Sequence, residues 1–214
     1  MIFSTLTCCC LINVIASDQF DHGTETEVDI SYDEEGNCYA YSRYDVPGGN
    51  PLRMSYGDYT NPSRLFARWG FLDKSAPATF CKIMIKRPDN KLVNMGYDHS
   101  KMLFYKDTGD VSEEVWDVLL YLNLANDPGQ QQAFYDAHVN GDYDTKQQYH
   151  SHYFPQTLAS LQDHVNAFLM SLDDLEAKTQ GRSIAEHPRL PLIMGHNEFV
   201  RETFLRVKAN IDNM

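Results

Sequence analysis

Two short segments of this 214-residue chain hold residue types that could do chemistry. One is Asp18-Gln19-Phe20-Asp21-His22. The other is Ser55-Tyr56-Gly57, a strand end in which glycine follows tyrosine. His22 and Tyr56 are 34 positions apart. A tyrosine hydroxyl at a strand end donates or accepts a hydrogen bond in a pocket. A glycine beside it lets backbone or ligand approach closely. The chain has 13 tyrosines, so on these residues alone a core tyrosine before a turn is the better explanation. The order of the segments raises the signal above that.

The other candidate residues read more plainly. His138, His150, His152 and His164 fall in the helical part without acidic partners at metal-ligand spacing. His150-x-His152 could bind a metal weakly, but a solvated loop explains it better. Asp173-Asp174 reads as a solvated helix face. Neither a Cys-x-x-Cys pair nor a Cys/His zinc spacing occurs. Five cysteines, with Cys8, Cys9 and Cys10 consecutive, give no disulfide pattern and favour reduced thiols. No metal is expected.

The elements that must position the two segments follow from pattern. Val28–Tyr32 alternates, Asp33-Glu34-Glu35-Gly36-Asn37 is an acidic turn, and Cys38–Tyr44 is β-prone, which together predict a hairpin. Leu52–Tyr56 predicts a short strand. Asn61 is a good N-cap, Pro62 suits the first helical position, and Gly70 ends that helix. Residues 72–79 read as a linker, Thr79–Ile85 as a strand, and the stretch to Ser100 as polar and turn-rich.

The remainder reads as helices. Ser112 caps one, with Glu113 and Glu114 in its first turn and Val115, Trp116, Leu119, Leu120 and Leu122 apolar. Pro128 begins a second, carrying Ala133, Phe134 and Ala137. Pro155 begins a third, whose Leu158, Leu161, Val165, Phe168, Leu172 and Leu175 form an apolar stripe that reads as core or an inter-helix seam. Gly181 ends it. A last helix runs from about Asn197 with Phe199, Phe204, Val207 and Ile211 apolar. The predicted class is α+β, a β-rich piece over 1–79 followed by a mainly helical domain over 80–214.

Composition bounds the function. At 43% hydrophobic and 12% aromatic the chain is too apolar for disorder. A net charge of -12 argues against a general nucleic-acid binder. The apolar run Met1–Ala16 lacks the positive start of a secretory signal and is short for a membrane span, so no membrane partner is expected. A buried strand from Leu11 to Ile15 and an intracellular protein are favoured. The secretory reading, with Val14-Ile15-Ala16 as a cleavage site, stays open.

Asp18–His22, a hairpin, a Gly-rich turn at Pro47–Pro51, Ser55-Tyr56-Gly57, then Asn61, Leu65 and Trp69-Gly70-Phe71 occur in one order. That order resembles the C-terminal half of a SET domain, in the subfamily of the Rubisco large-subunit methyltransferase and its histone- and actin-modifying relatives. There an Asp-x-x-Asn-His segment precedes Ile-Ser-Tyr-Gly, and an Asn-x-x-Leu-Leu-x-x-Tyr-Gly-Phe helix follows. A helical substrate-binding domain normally comes next. The motifs cover roughly residues 11–72.

The resemblance implies roles. Asp21 and His22 match the Asn-His pair that lies against S-adenosylmethionine, the histidine backbone at the adenine edge and the neighbouring side chain at the methionine end. Tyr56 matches the catalytic tyrosine, near the transferred methyl. Trp69 and Phe71 match aromatics lining the cofactor and lysine channel. The implied activity is protein-lysine N-methylation, with histidine as another acceptor. Such a reaction needs a neutral amine, alignment and a narrow aromatic channel more than a strong base.

Three departures bear on activity. Asp21 replaces Asn and loses an amide donor. Trp69 replaces Tyr and loses a hydroxyl. The Gly-x-Gly segment of the first half-domain would lie before Asp18, where the 17 residues do not resemble it. A truncated or inactive form is therefore an expectation beside the active one. An alternative from another class is a non-catalytic protein-binding module built on the helical region.

Overall fold

A computed structural model of the chain describes residues 20–214. The expected strand Leu11–Ile15 and the Cys8-Cys9-Cys10 cluster lie outside the described residues. Two-stranded sheets and long helices make the protein α+β in the general sense. The chain divides into two compact units, Met1–Tyr59 and Thr60–Met214.

In the first unit, β1 (Asp21–His22) pairs in parallel with β4 (Arg53–Met54), placing Asp21 opposite Arg53 and His22 opposite Met54. The predicted hairpin forms from β2 (Val28–Tyr32) and β3 (Cys38–Ser42). Its acidic turn is closed by Asp33, whose carboxylate accepts from the Asn37 backbone at 2.7 Å and the Tyr39 hydroxyl at 2.7 Å. Glu27, 6% exposed, accepts from the Arg53 backbone N–H at 2.9 Å and from its guanidinium at 2.6 Å. Hydrogen bonds from Arg53 pull the Glu27 carboxyl down to about 2. This pair fixes the strand that leads to Tyr56.

The second unit begins with α1 (Pro62–Trp69). The Asn61 side chain accepts from Ser63 N–H at 3.1 Å, and Gly70 ends the helix in the left-handed region at φ 75°. Asn61 is 4% exposed and also donates to the His99 carbonyl at 3.0 Å. Asn61→Ala is therefore expected to lower stability by about 1–2 kcal/mol, read from the urea midpoint. An unchanged midpoint contradicts the cap.

The stretch read as a linker before residue 80 belongs to this unit. Ala78 N–H donates to the Thr60 carbonyl at 3.1 Å, and β5 (Ala78–Phe80) pairs antiparallel with β6 (Leu103–Tyr105). The two compact units meet between Tyr59 and Thr60. Strand β5 is shorter than the predicted Thr79–Ile85 because Lys82 takes φ 63° and turns the chain out of the sheet. Within the segment read as polar, α2 (Asn90–Asn94) forms on an Asp89 cap that accepts from Leu92 N–H at 2.8 Å.

Helices α3 (Glu113–Asn123), α4 (Pro128–Asn140), α5 (Tyr143–Thr179) and α6 (Leu190–Ile211) complete the unit. The third predicted helix does not start at Pro155. It starts at Tyr143, capped by Asp142, which accepts from Thr145 N–H at 3.1 Å. Pro155 lies inside it on an exposed face, where Ser151 is exposed as well, so the carbonyl robbed of its donor can turn to water. The last helix starts at Leu190 rather than Asn197, because Pro191 sits in its first turn and does not break it.

The predicted stripe is core. Leu161 and Val165 are fully buried and Leu172 is 3% exposed, but Leu175 is 46% exposed. Leu161, Val165 and Leu172 meet Phe204, Val207 and Ile211 of α6, Val115 and Val118 of α3, Phe134 of α4, and Phe104 of β6 in one cluster.

Candidate functional site

The parallel pairing of β1 and β4 brings the two chemical segments together. The Tyr56 backbone N–H donates to His22 Nδ1 at 3.1 Å, and the two rings lie 5.5 Å apart at 43°. The Tyr56 hydroxyl donates to the Phe20 carbonyl at 2.5 Å. His22 Nδ1 therefore acts as an acceptor, which leaves its proton on Nε2 when the ring is neutral. Asp21 is exposed, and its carboxylate is open to an incoming cationic group. Gly57 has φ 131° and open space where a Cβ would stand. Of the predicted site residues, His22 and Tyr56 are neighbours and Asp21 adjoins them. Trp69 and Phe71 belong to the second unit, Trp69 37% exposed at the end of α1 and Phe71 half-buried just after it.

The second unit contains two polar clusters that pattern reasoning did not reach. In one, Asp117 of α3 is 2% exposed and is approached by His150 Nε2 at 2.7 Å, Lys146 Nζ at 2.8 Å and His138 Nδ1 at 3.4 Å. Lys146 also donates to Glu113 at 2.6 Å. Burial alone would push the Lys146 ammonium down. Its hydrogen bonds to Asp117 and Glu113 outweigh burial and hold it above its ordinary value. A cleft of about 290 Å³ beside it is lined by Glu113, Asp117, His138 and Lys146. His150, expected in a solvated loop, is thus hydrogen-bonded to a buried carboxylate, and His138 Nδ1 stands 3.4 Å from the same group.

In the other cluster, Ser63, Lys82 and His196 meet from three separate parts of the unit. Ser63 Oγ lies 2.9 Å from His196 Nε2, and Lys82 Nζ donates to Oγ at 3.1 Å. One sequence signal pointed there: Lys82 is a lone charge within the apolar run Phe80–Ile85. For Asp117 no signal existed, since its partners lie on other helices.

Cys38 and Cys81 are free and buried, and burial pushes the Cys81 thiol up to about 12, far from reactive. Among the described residues, no group of three or more His, Cys, Asp and Glu is arranged to hold a metal ion. No described helix is long and apolar enough to cross a membrane. No family model, no curated protein and no solved structure matches this chain.

Proposed function

We propose that the chain carries the second half of a SET-type methyltransferase domain followed by a helical substrate-binding unit, acting on a lysine of a protein. The observation that supports this reading most is the contact between His22 and Tyr56. Two motifs recognised by their order alone stand side by side, joined by a backbone-to-ring hydrogen bond of 3.1 Å.

The residues of the first unit suit S-adenosylmethionine. Asp21 presents an exposed carboxylate that can accept from the ammonium of the methionine end. The backbone at His22 is held in the β1–β4 pair, so its edge is fixed before a ligand arrives. Gly57 leaves room beside Tyr56. The bound cofactor supplies a methyl group on a sulfonium, which is electrophilic without help from a metal. The task left to the chain is orientation. Tyr56, steadied through His22 and Phe20, directs the attacking amine. Aromatic faces of the kind the resemblance assigns to Trp69 and Phe71, which lie in the second unit, favour a methylammonium by about 0.5–2 kcal/mol. The acceptor amine must arrive uncharged, and the proton it sheds on methylation leaves to solvent.

The test is transfer of labelled methyl from S-adenosylmethionine into lysine-containing protein substrates by the full chain. Tyr56→Phe is expected to reduce transfer by about a hundredfold or more while leaving cofactor binding within about tenfold. Transfer unaffected by Tyr56→Phe overturns the assigned role.

A further inference from the structure

Ser63, Lys82 and His196 form a cluster that methyl transfer does not use. Ser63 is the second residue of α1, and its own backbone N–H is held by the Asn61 side chain. That fixes where its Oγ points. Lys82 reaches Oγ from just beyond β5, and His196 reaches it from α6. The His196 ring is itself fixed, stacked on Phe66 with centroids 4.5 Å apart and planes at 21°.

Lys82 is held against its local preference. It is the one non-glycine residue with positive φ among the described residues, at 63°. A side chain with a Cβ is strained in that region, where the Cβ crowds the following carbonyl oxygen. Strain of this kind persists where the surroundings over-determine a residue, and it clusters at functional sites. Here it aims a long side chain inward at a serine. Burial pushes the Lys82 ammonium down, toward the uncharged amine. Burial, and in the resting site the Lys82 charge, push His196 down to about 4, so its ring is neutral at physiological pH.

The cluster opens on a cleft of about 380 Å³. Ser63 and Lys82 line it, Phe80 gives it an apolar wall, and Arg64, Arg68 and His99 stand around it. A cleft with two guanidinium groups in a chain of net charge -12 is a local reversal of sign. It suits an anionic ligand.

We propose that Ser63 is an acyl-accepting nucleophile, with Lys82 as its base and His196 as the second hydrogen-bond partner of Oγ, in a cleft that takes a small carboxylic ester bearing an anionic group. In the deprotonated form of Lys82, the Oγ attacks the ester carbonyl carbon while its proton passes to the Nζ lone pair. The bond to the leaving alcohol breaks, and that oxygen takes the proton from Nζ. Water then attacks the acyl-Ser63 ester by the same route and restores the hydroxyl. Ester and water are consumed, acid and alcohol are formed, and nothing is oxidised or reduced. In the resting site Oγ accepts from Lys82 Nζ; once Nζ is deprotonated, the serine hydroxyl turns its one proton to the Nζ lone pair while its own lone pairs accept from His196 Nε2–H. Nucleophile and base within hydrogen-bond reach, with a third group orienting them, is the arrangement covalent catalysis requires. The site involves neither His22 nor Tyr56, so it stands or falls separately from methyl transfer.

The experiment is labelling of the purified full chain with a fluorophosphonate probe, which serine displaces at phosphorus with loss of fluoride. One adduct per chain at Ser63 is expected, found by mass spectrometry of the peptide. Ser63→Ala abolishes it, and Lys82→Met slows it by about a hundredfold. Lys82→Arg keeps a long hydrogen-bonding side chain that cannot give up its proton to serve as a base, and it slows labelling equally if the proposal holds. Nitrophenyl esters then test the substrate class. The hemisuccinate is hydrolysed a few-fold faster than the acetate, and Arg68→Gln removes that preference. An unlabelled parent chain, labelling that survives Ser63→Ala, or a rate unchanged in Lys82→Arg overturns the nucleophile. Equal rates on the two esters overturn the anionic specificity.

Discussion

Asp117→Ala lowers the stability of the helical unit by about 3–5 kcal/mol, measured by urea unfolding at neutral pH. Asp117 is 2% exposed and lies between Lys146, His150 and His138. Removing the carboxylate leaves an ammonium and two imidazoles around an empty volume, and a cation stripped of its buried partner is the costly part. Lys146 keeps Glu113, which places the loss toward the lower end of the range. The mirror experiment separates the two partners. Glu113 is 73% exposed at its side chain, so Glu113→Ala costs no more than about 1 kcal/mol. The lysine also sets a pH window. Its folded value lies above the ordinary 10.5, so its contribution is complete below that value and is lost only as pH rises through the folded one. A loss below about 1 kcal/mol for Asp117→Ala would contradict the account of this cluster as a hub of the helical unit.

Phe204→Ala costs a similar amount by a different route, about 3–5 kcal/mol. Phe204 is fully buried on α6. Its ring meets Phe168 of α5 at 4.5 Å and Phe104 of β6 edge-on at 4.9 Å. Three elements therefore lose a common filler, and the two surviving rings cannot close the gap without moving their backbones. Phe204→Leu restores most of the volume and costs less than about 1.5 kcal/mol. For a domain of this size the alanine variant lowers the melting temperature by roughly 10 °C. Equal effects of alanine and leucine would show that packing is not what Phe204 contributes. A small domain holds only about 5–15 kcal/mol in all, so Asp117 and Phe204 each account for a large fraction of it.

Much of the architecture was legible because it is written locally. Asn61, Pro62 and Gly70 announce α1 at both ends, and the alternation of Val28–Tyr32 with the acidic turn announces the hairpin. The apolar stripe of α5 was legible by period, but its start was not. Proline marks a first helical turn more often than an interior, and Pro155 is an interior proline on a wet face. The true signal was Gly141 in the left-handed region closing α4, with Asp142 capping the next helix. Thr79–Ile85 reads as a strand by composition, yet a single left-handed lysine stops it, and no propensity foresees that.

The candidate sites divide the same way. His22 and Tyr56 were paired by the order of their motifs before their contact was visible. Ser63, Lys82 and His196 were not, since tertiary packing alone brings them together. Asp117 likewise draws its partners from α4 and α5. Spacing along a chain reports chemistry only where one element or one motif holds all the parts.

The central claim is that the Asp21–His22 and Tyr56 segments form a surface for S-adenosylmethionine. Isothermal calorimetry of the full chain against S-adenosylmethionine measures it most directly, with His22→Ala as the paired control. The account predicts saturable binding that weakens by about tenfold or more in the variant, the equivalent of one lost hydrogen-bonding group. No heat of binding at millimolar cofactor, or equal affinity in parent and variant, would contradict it.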